Sequence, residues 1–265
     1  PNHLHLAPVC AAAEAGVAVL CEKPMSASLA DAEAMGRAVD RAGVLYGTAF
    51  DQRRHPAHTA LRDAVAAGAI GRPSAVRIAY CCWVDPLWRA PGQTGEANWR
   101  ADPLQAGGGA VVDLAPHGLD LVQALLGEPV ERLAMVLQRR VHDYAVEDGG
   151  MVTGVTASGV LVSLHVAYNC PEALPRRRLE VLGDEGQVCA LDTLGQTAGG
   201  ELWRICGRSG AREPIGFDAA LGPFTVQAAA FAAAVQGAPH DYSLSRDLAL
   251  ARRFDAAYRQ AFACL

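Results

Sequence analysis

Two continuous apolar runs with a capped helix between them constrain this chain most. Val17 to Cys21 and Val44 to Phe50 show no polar alternation, the pattern of strands buried on both faces. Between them, Ser28-Leu29-Ala30-Asp31 reads as a capping box with Asp in place of Glu. It opens a helix that runs to about Ala42 and stops at Gly43. An alanine-rich helix over about residues 4–15, closed by Gly16, precedes the first run. A helix from His55 to Ala67, ending at Gly68, follows the second. Helices and strands alternating over short turns predict parallel βαβ units.

After Gly71 the pattern changes. Ser74 to Val84 reads as a long strand, followed by a Pro-, Gly- and Trp-rich loop from Asp85 to Gly109 and a helix from Ala110 to Leu126 that stops at Gly127. Val152 to Ala157 and Val160 to Tyr168 flank Ser158-Gly159, a hairpin signal. Leu179 to Leu182, Gln187 to Leu191 and Glu201 to Cys206 continue the series, and helices over about 223–237 and 245–262 close it. The expected fold is an α/β Rossmann unit, its second half only, over residues 1–71. An α+β domain with a large open, mainly antiparallel sheet then occupies 72–265.

The parallel unit reads as incomplete. Its strand edge beside Val17–Cys21 would be an unpaired apolar template. No G-x-G-x-x-G turn precedes a helix, since Gly107-Gly108-Gly109 has neither the place nor the spacing. Roughly 60–90 preceding residues, two or three βα units, are therefore expected upstream of Pro1.

Bulk properties exclude several classes. A net charge of −5 and a pI near 5.9 argue against a nucleic-acid or anionic-membrane surface. The basic cluster Arg176-Arg177-Arg178 reads as a solvated strand edge or a subunit contact. No stretch of apolar residues is long enough to span a bilayer. Eight cysteines without a Cys-x-x-Cys pair suit a reduced, cytoplasmic protein with no metal site. The apolar residues Val152, Val160, Val162, Leu164 and Val166 predict a sheet face covered by another subunit, giving a homodimer or homotetramer.

The chemistry-bearing residues gather at two places. Asp113 and His117 lie one turn apart on the helix after the glycines, and Asp120 extends their face. A carboxylate beside one imidazole nitrogen fixes the tautomer and frees the other for proton exchange, as oxidation of an alcohol or reduction of a ketone requires. The glycines would let backbone approach a ligand, and the helix start would offer free N–H groups. Lys23 follows a buried strand, where open α/β sheets place ligands, and its ammonium could polarise a carbinol oxygen. Glu22 could accept from a ribose hydroxyl, and Pro24 would fix the turn. Asp51 and Arg53 follow the second strand and could meet a polyol. His55 and His58 lack a third ligand nearby and read as solvated.

Three stretches together resemble the glucose–fructose oxidoreductase, inositol dehydrogenase and rhizopine-catabolism family. They are Pro1-Asn2-His3-Leu4-His5 through Glu22-Lys23-Pro24; Asn98-Trp99-Arg100 leading to Gly107-Gly108-Gly109 and Asp113-Leu114-Ala115-Pro116-His117; and, more weakly, Leu182-Gly183-Asp184-Glu185-Gly186 with Phe231 in the closing helix. Ala115 stands where the family usually has glycine. The resemblance implies NAD or NADP as cofactor and hydride transfer to or from a secondary alcohol of a sugar, cyclitol or related polyol. It assigns catalysis to Lys23, Asp113 and His117. Asn2, Glu22, Lys23, Pro24, Trp99 and Arg100 would contact the cofactor, and Asp51, Arg53, Asp113 and His117 the substrate. An NAD-dependent glycosidase and a non-catalytic nucleotide-binding member are the alternatives within the same family.

Overall fold

The chain is seen in a computed structural model that describes residues 1–89 and 98–265; part of the Pro- and Gly-rich loop expected after Asp85 lies outside them. The chain opens with α1 (Leu6–Glu14), β1 (Val19–Cys21), α2 (Leu29–Ala42), β2 (Tyr46–Thr48) and α3 (Pro56–Ala66). Ser28 Oγ accepts from Asp31 N at 3.1 Å, and Gly43 closes α2 in the left-handed conformation, so both boundary signals act as read. β1 and β2 pair in parallel, and each is shorter than its apolar run. The far edge of β1 carries no strand among the described residues.

β3 (Pro73–Cys81), the short α4 (Pro103–Ala106) and α5 (Ala110–Leu126) follow. Then come β4 (Val130–Gln138), β5 (Gly149–Thr156), β6 (Leu161–Ala167), β7 (Arg177–Gly183), β8 (Gly186–Leu191), β9 (Glu201–Cys206) and β10 (Arg212–Pro214). The helices α6 (Pro223–Val235) and α7 (Leu244–Phe262) close the chain. The eight strands form one sheet in the order β10-β9-β8-β7-β3-β6-β5-β4, parallel only between β3 and β6. β4 and β10 were not foreseen. Glu131 and Arg132 blur the start of β4, and β10 is three exposed residues.

Helices α3, α5 and α7 pack on one face of this sheet. α5 is apolar almost all round, and Gly118 lets it lie directly on Leu164 of β6. This corrects the expected subunit face. Val152, Val160, Val162, Leu164 and Val166 point inward and are buried in the core beneath the helices. The period-2 pleat sends the other set outward: Val136, Met151 and Leu161, on three adjacent strands, are exposed.

The start of α5 brings a second correction. Its N–H groups are not free for a ligand. Gly109 N and Val111 N donate to Glu147 Oε1 at 2.9 and 3.1 Å, and Ala110 N donates to the Glu147 carbonyl at 3.1 Å. The Tyr258 hydroxyl donates to Glu147 Oε2 at 2.6 Å. The glycines serve packing. A β-carbon at Gly107 would overlap the Ala27 carbonyl, and one at Gly109 would overlap the Glu147 carbonyl oxygen. Gly109→Ala is therefore expected to cost about 1–3 kcal/mol or more, as overpacking does. The check is a lowered urea midpoint at unchanged slope; a wild-type midpoint would contradict it.

Candidate active site

The turn after β1 presents Glu22-Lys23-Pro24, and the first turn of α5 presents Asp113 opposite it. Lys23 Nζ donates to the Asp113 carboxylate and, at 3.0 Å, to the Asp113 carbonyl. The Tyr168 hydroxyl, just past β6, donates to the second carboxylate oxygen at 2.6 Å. Arg100 Nε lies 3.7 Å from that oxygen. Burial would raise the Asp113 pKa, but Lys23 and Arg100 outweigh it and hold the group far below the usual carboxylate range. The Tyr168 phenol, buried beside that charge, is pushed well above its ordinary value. Asp113 is thus a fixed anion, and Lys23 is tethered to it.

His117 lies one turn along α5, with its side chain 7% exposed. Its Nδ1 stands 3.1 Å from Asp51 Oδ1, at ion-pair distance but without the alignment of a hydrogen bond. This replaces the pairing expected from the sequence. Asp113 and His117 share a helix face, yet both Asp113 oxygens are engaged by Lys23 and Tyr168, and the carboxylate beside the imidazole comes from the end of β2. Gln52 Nε2 donates to Asp51 Oδ2 at 2.8 Å and holds that carboxylate. Burial pulls the Asp51 pKa up, but His117 and Lys23 more than offset it, leaving it below its ordinary value. Phe50 and Tyr80 flank the imidazole, with ring centroids 6.4 and 5.9 Å away.

Lys23, Asp113, His117 and Asp51 open onto one cleft of about 540 Å³. Asn2, Glu22, Trp99 and Arg100 line it as well. Asn2 spends its amide on Ala106 O at 2.8 Å, so it also ties the chain start to the glycine turn. Arg100 stacks on Trp88 and Trp99, 4.4 Å from each ring centroid. Pro24 lines an adjoining apolar crevice instead. Arg53 stands outside the cleft: Nε donates to Asp120 Oδ2 at 2.8 Å, Nη2 pairs with Asp120 Oδ1, and Nη1 donates to Asp241 at 2.8 Å. His55 and His58 are buried, not solvated. His58 lies 2.7 Å from Gln52 O and 2.8 Å from Thr193 Oγ1, and burial pulls its pKa down to about 3.

The description "Oxidoreductase family, NAD-binding Rossmann fold" matches residues 1–50, and "GFO/IDH/MocA C-terminal domain" matches residues 58–189. The chain belongs to the GFO/IDH/MocA family. It is 35% identical over 196 residues to the 1,5-anhydro-D-fructose reductase of Ensifer adhaerens, covering 74% of this chain and 56% of that one. It is 30% identical over 195 residues to the myo-inositol 2-dehydrogenase of Thermotoga maritima, covering 71% and 54%. The crystal structure of an aldose-aldose oxidoreductase from Caulobacter crescentus, complexed with glycerol, superposes with a TM-score of 0.82 at 26% identity, covering 100% of this chain and 76% of that one. The chain thus spans about half the length of these two enzymes known by sequence.

Several cleft residues of this GFO/IDH/MocA chain escape a linear reading. Tyr168 ends an apolar run and carries no local signal of its role. Trp88 sits in an irregular loop, and residues 195–197 reach the cleft from the β8–β9 connection. Arg177 did carry a signal. Strand alternation separates it from its two arginine neighbours and turns it inward with Leu179 and Val181, leaving Arg178 outside with Glu180. Chemically, the GFO/IDH/MocA cleft offers an imidazole beside one carboxylate and an ammonium paired with another, all opening onto one space.

Proposed function

We propose that the protein is an NAD(P)-dependent oxidoreductase that exchanges a hydride between nicotinamide and a secondary alcohol or ketone of a sugar, cyclitol or related polyol. Residues 1–71 supply the cofactor side, and 72–265 the substrate and oligomerisation side. The observation that carries this reading is that Lys23 and His117 line one cleft, each beside its own carboxylate. Enzymes related to the chain, the reductase and the inositol dehydrogenase above, support the reaction class.

The cleft fits the nicotinamide end of the cofactor. Arg100 Nη1 is buried with no hydrogen-bond partner among the described residues, beside the flat Trp99 ring. Trp99, Arg100, Asn2, Glu22 and Lys23 would hold that end. When bound, the cofactor supplies the hydride acceptor or donor. His117 takes the hydroxyl proton on the nitrogen turned away from Asp51, and Asp51 stabilises the imidazolium that results. Lys23 donates a hydrogen bond to the carbinol oxygen and favours alkoxide character, while Asp113 and Tyr168 fix where the ammonium stands.

The test is the full-length protein with NAD or NADP and a panel of aldoses, polyols and cyclitols. Reduced cofactor should form in step with ketone or lactone. Absence of turnover throughout the panel would sink the reading. A glycosidase would instead release sugar without net reduced cofactor.

The outward sheet face supports a homodimer or homotetramer, since Val136, Met151 and Leu161 form apolar surface on adjacent strands. Sedimentation is expected to show an oligomer that Leu161→Arg shifts toward monomer. A wild-type monomer at micromolar concentration would contradict this. No helix among the described residues is long and apolar enough to cross a membrane. The eight free cysteines support a reducing, cytoplasmic setting.

A further inference from the structure

We propose that Arg177 anchors the substrate and selects polyols that carry a carboxylate, such as sugar acids. This rests on the hydride-transfer reading of the cleft and names its substrate class. Arg177 opens β7 and pairs across the sheet with Tyr80, whose ring lies 5.9 Å from that of His117. Its guanidinium therefore stands one side chain away from the proton-exchanging imidazole, on the cleft wall.

This cation differs from the other two in the cleft. Lys23 is paired with Asp113, and Arg100 lies 3.7 Å from the same carboxylate. Arg177 has no ion-pair or side-chain hydrogen-bond partner among the described residues, and its Nε is buried without one. The guanidinium is half-buried on the cleft wall, and its one donor shut away from water is costly to leave unmet. The chain is also shaped around it. A β-carbon at Gly195 would come 2.6 Å from Arg177 Nη1, and Gly195 sits at φ +118°, where side chains are rarely accommodated. Gln52 pins that glycine by reciprocal bonds, Nε2 to Gly195 O at 2.9 Å and Gly195 N to Oε1 at 3.1 Å.

Glu172 lines the same cleft but pairs with Arg176 at 3.2 Å, which leaves one guanidinium of the cleft unpaired among the described residues and favours a monoanion. Its planar fork matches a carboxylate, whereas a phosphate dianion would call for a second free cation. A substrate whose carboxylate rests on Arg177 would present a neighbouring hydroxyl to His117 and Lys23.

The test compares acid and neutral partners, D-glucuronate against D-glucose and D-galacturonate against D-galactose, on the full-length protein with NAD or NADP. The acid of at least one pair should show the higher kcat/KM. Arg177→Met is expected to lower kcat/KM for that acid by about 10–100-fold, mainly through KM, and to leave the neutral sugar within about twofold. Arg177→Lys, which keeps the charge and loses the fork, should fall between. It also serves if the Met variant does not fold. Equal efficiency for acid and neutral partners, or equal losses on both, would overturn the proposal. If neither partner of any pair yields reduced cofactor, it is the hydride-transfer reading that fails, and binding still decides Arg177. Saturable heat on titration with D-glucuronate, absent with D-glucose and lost in Arg177→Met, supports the anchor; no heat with either acid rejects it.

Discussion

His117→Ala and Lys23→Ala are each expected to lower kcat of the full-length enzyme by about 10²–10⁴-fold while leaving the thermal midpoint near wild type. The two losses have different origins. Without His117 the hydroxyl proton has no acceptor at the reacting carbon. Without Lys23 the oxygen loses the donor that favours its anionic character. The structure adds a sharper comparison between the two carboxylates. Asp51→Asn removes the charge beside the imidazole, so its effect should appear as an altered pH profile of kcat/KM. Asp113→Asn removes the tether of Lys23, frees the Tyr168 hydroxyl and should act as a weaker copy of the Lys23 variant. A pH profile that moves in Asp113→Asn and stays fixed in Asp51→Asn would reverse the two assignments. Near-wild-type turnover in His117→Ala would remove the proton-exchange role altogether.

Asp120→Ala is expected to be the most destabilising single change considered, at about 3–5 kcal/mol, because it strands a buried guanidinium. Arg53 and Asp120 have side chains 6% and 0% exposed. Burial works against the Arg53 charge, and Asp120 followed by Asp241 more than restores it. Asp241 is 47% exposed and remains as a second partner, so the loss should fall toward the lower end of that range. Chemical denaturation measures it directly, and a change under about 1 kcal/mol would show that Asp241 suffices alone. The same pair bears on the substrate role expected of Arg53. With its N–H groups committed to two aspartates, its variants should alter stability and leave KM for the polyol unchanged; a raised KM in a well-folded Arg53→Lys enzyme would return it to the site.

Local signals carried much of this fold. The caps at Ser28, Gly43 and Gly127 set helix limits because capping is decided within a few residues, and α5 runs from Ala110 to Leu126 as its composition indicates. The positions of Lys23 and His117 were legible because a strand end and a helix turn place them. What failed was pairing between distant segments. Asp113 looked like the partner of His117 because it is four residues away, whereas Asp51 reaches the ring only through the packing of the β2 end against α5. His55 and His58 looked solvated because Thr193, which meets His58, comes from beyond β8. The inward valines of β5 and β6 looked like a subunit face because sequence alone does not show which side of a sheet the helices will cover.

Lys23 arrives on the turn after β1, while Asp113 belongs to the helix beneath the large sheet, so the chemistry straddles a seam between two blocks of the chain. Two contacts close the seam beside it: Gly107 against the Ala27 carbonyl, and Asn2 on Ala106 O. The packing continues beyond them: Leu248 of α7 is buried in the core of the first block, and Leu61 of α3 in that of the sheet. The ammonium and its carboxylate therefore meet only where the two blocks are packed together.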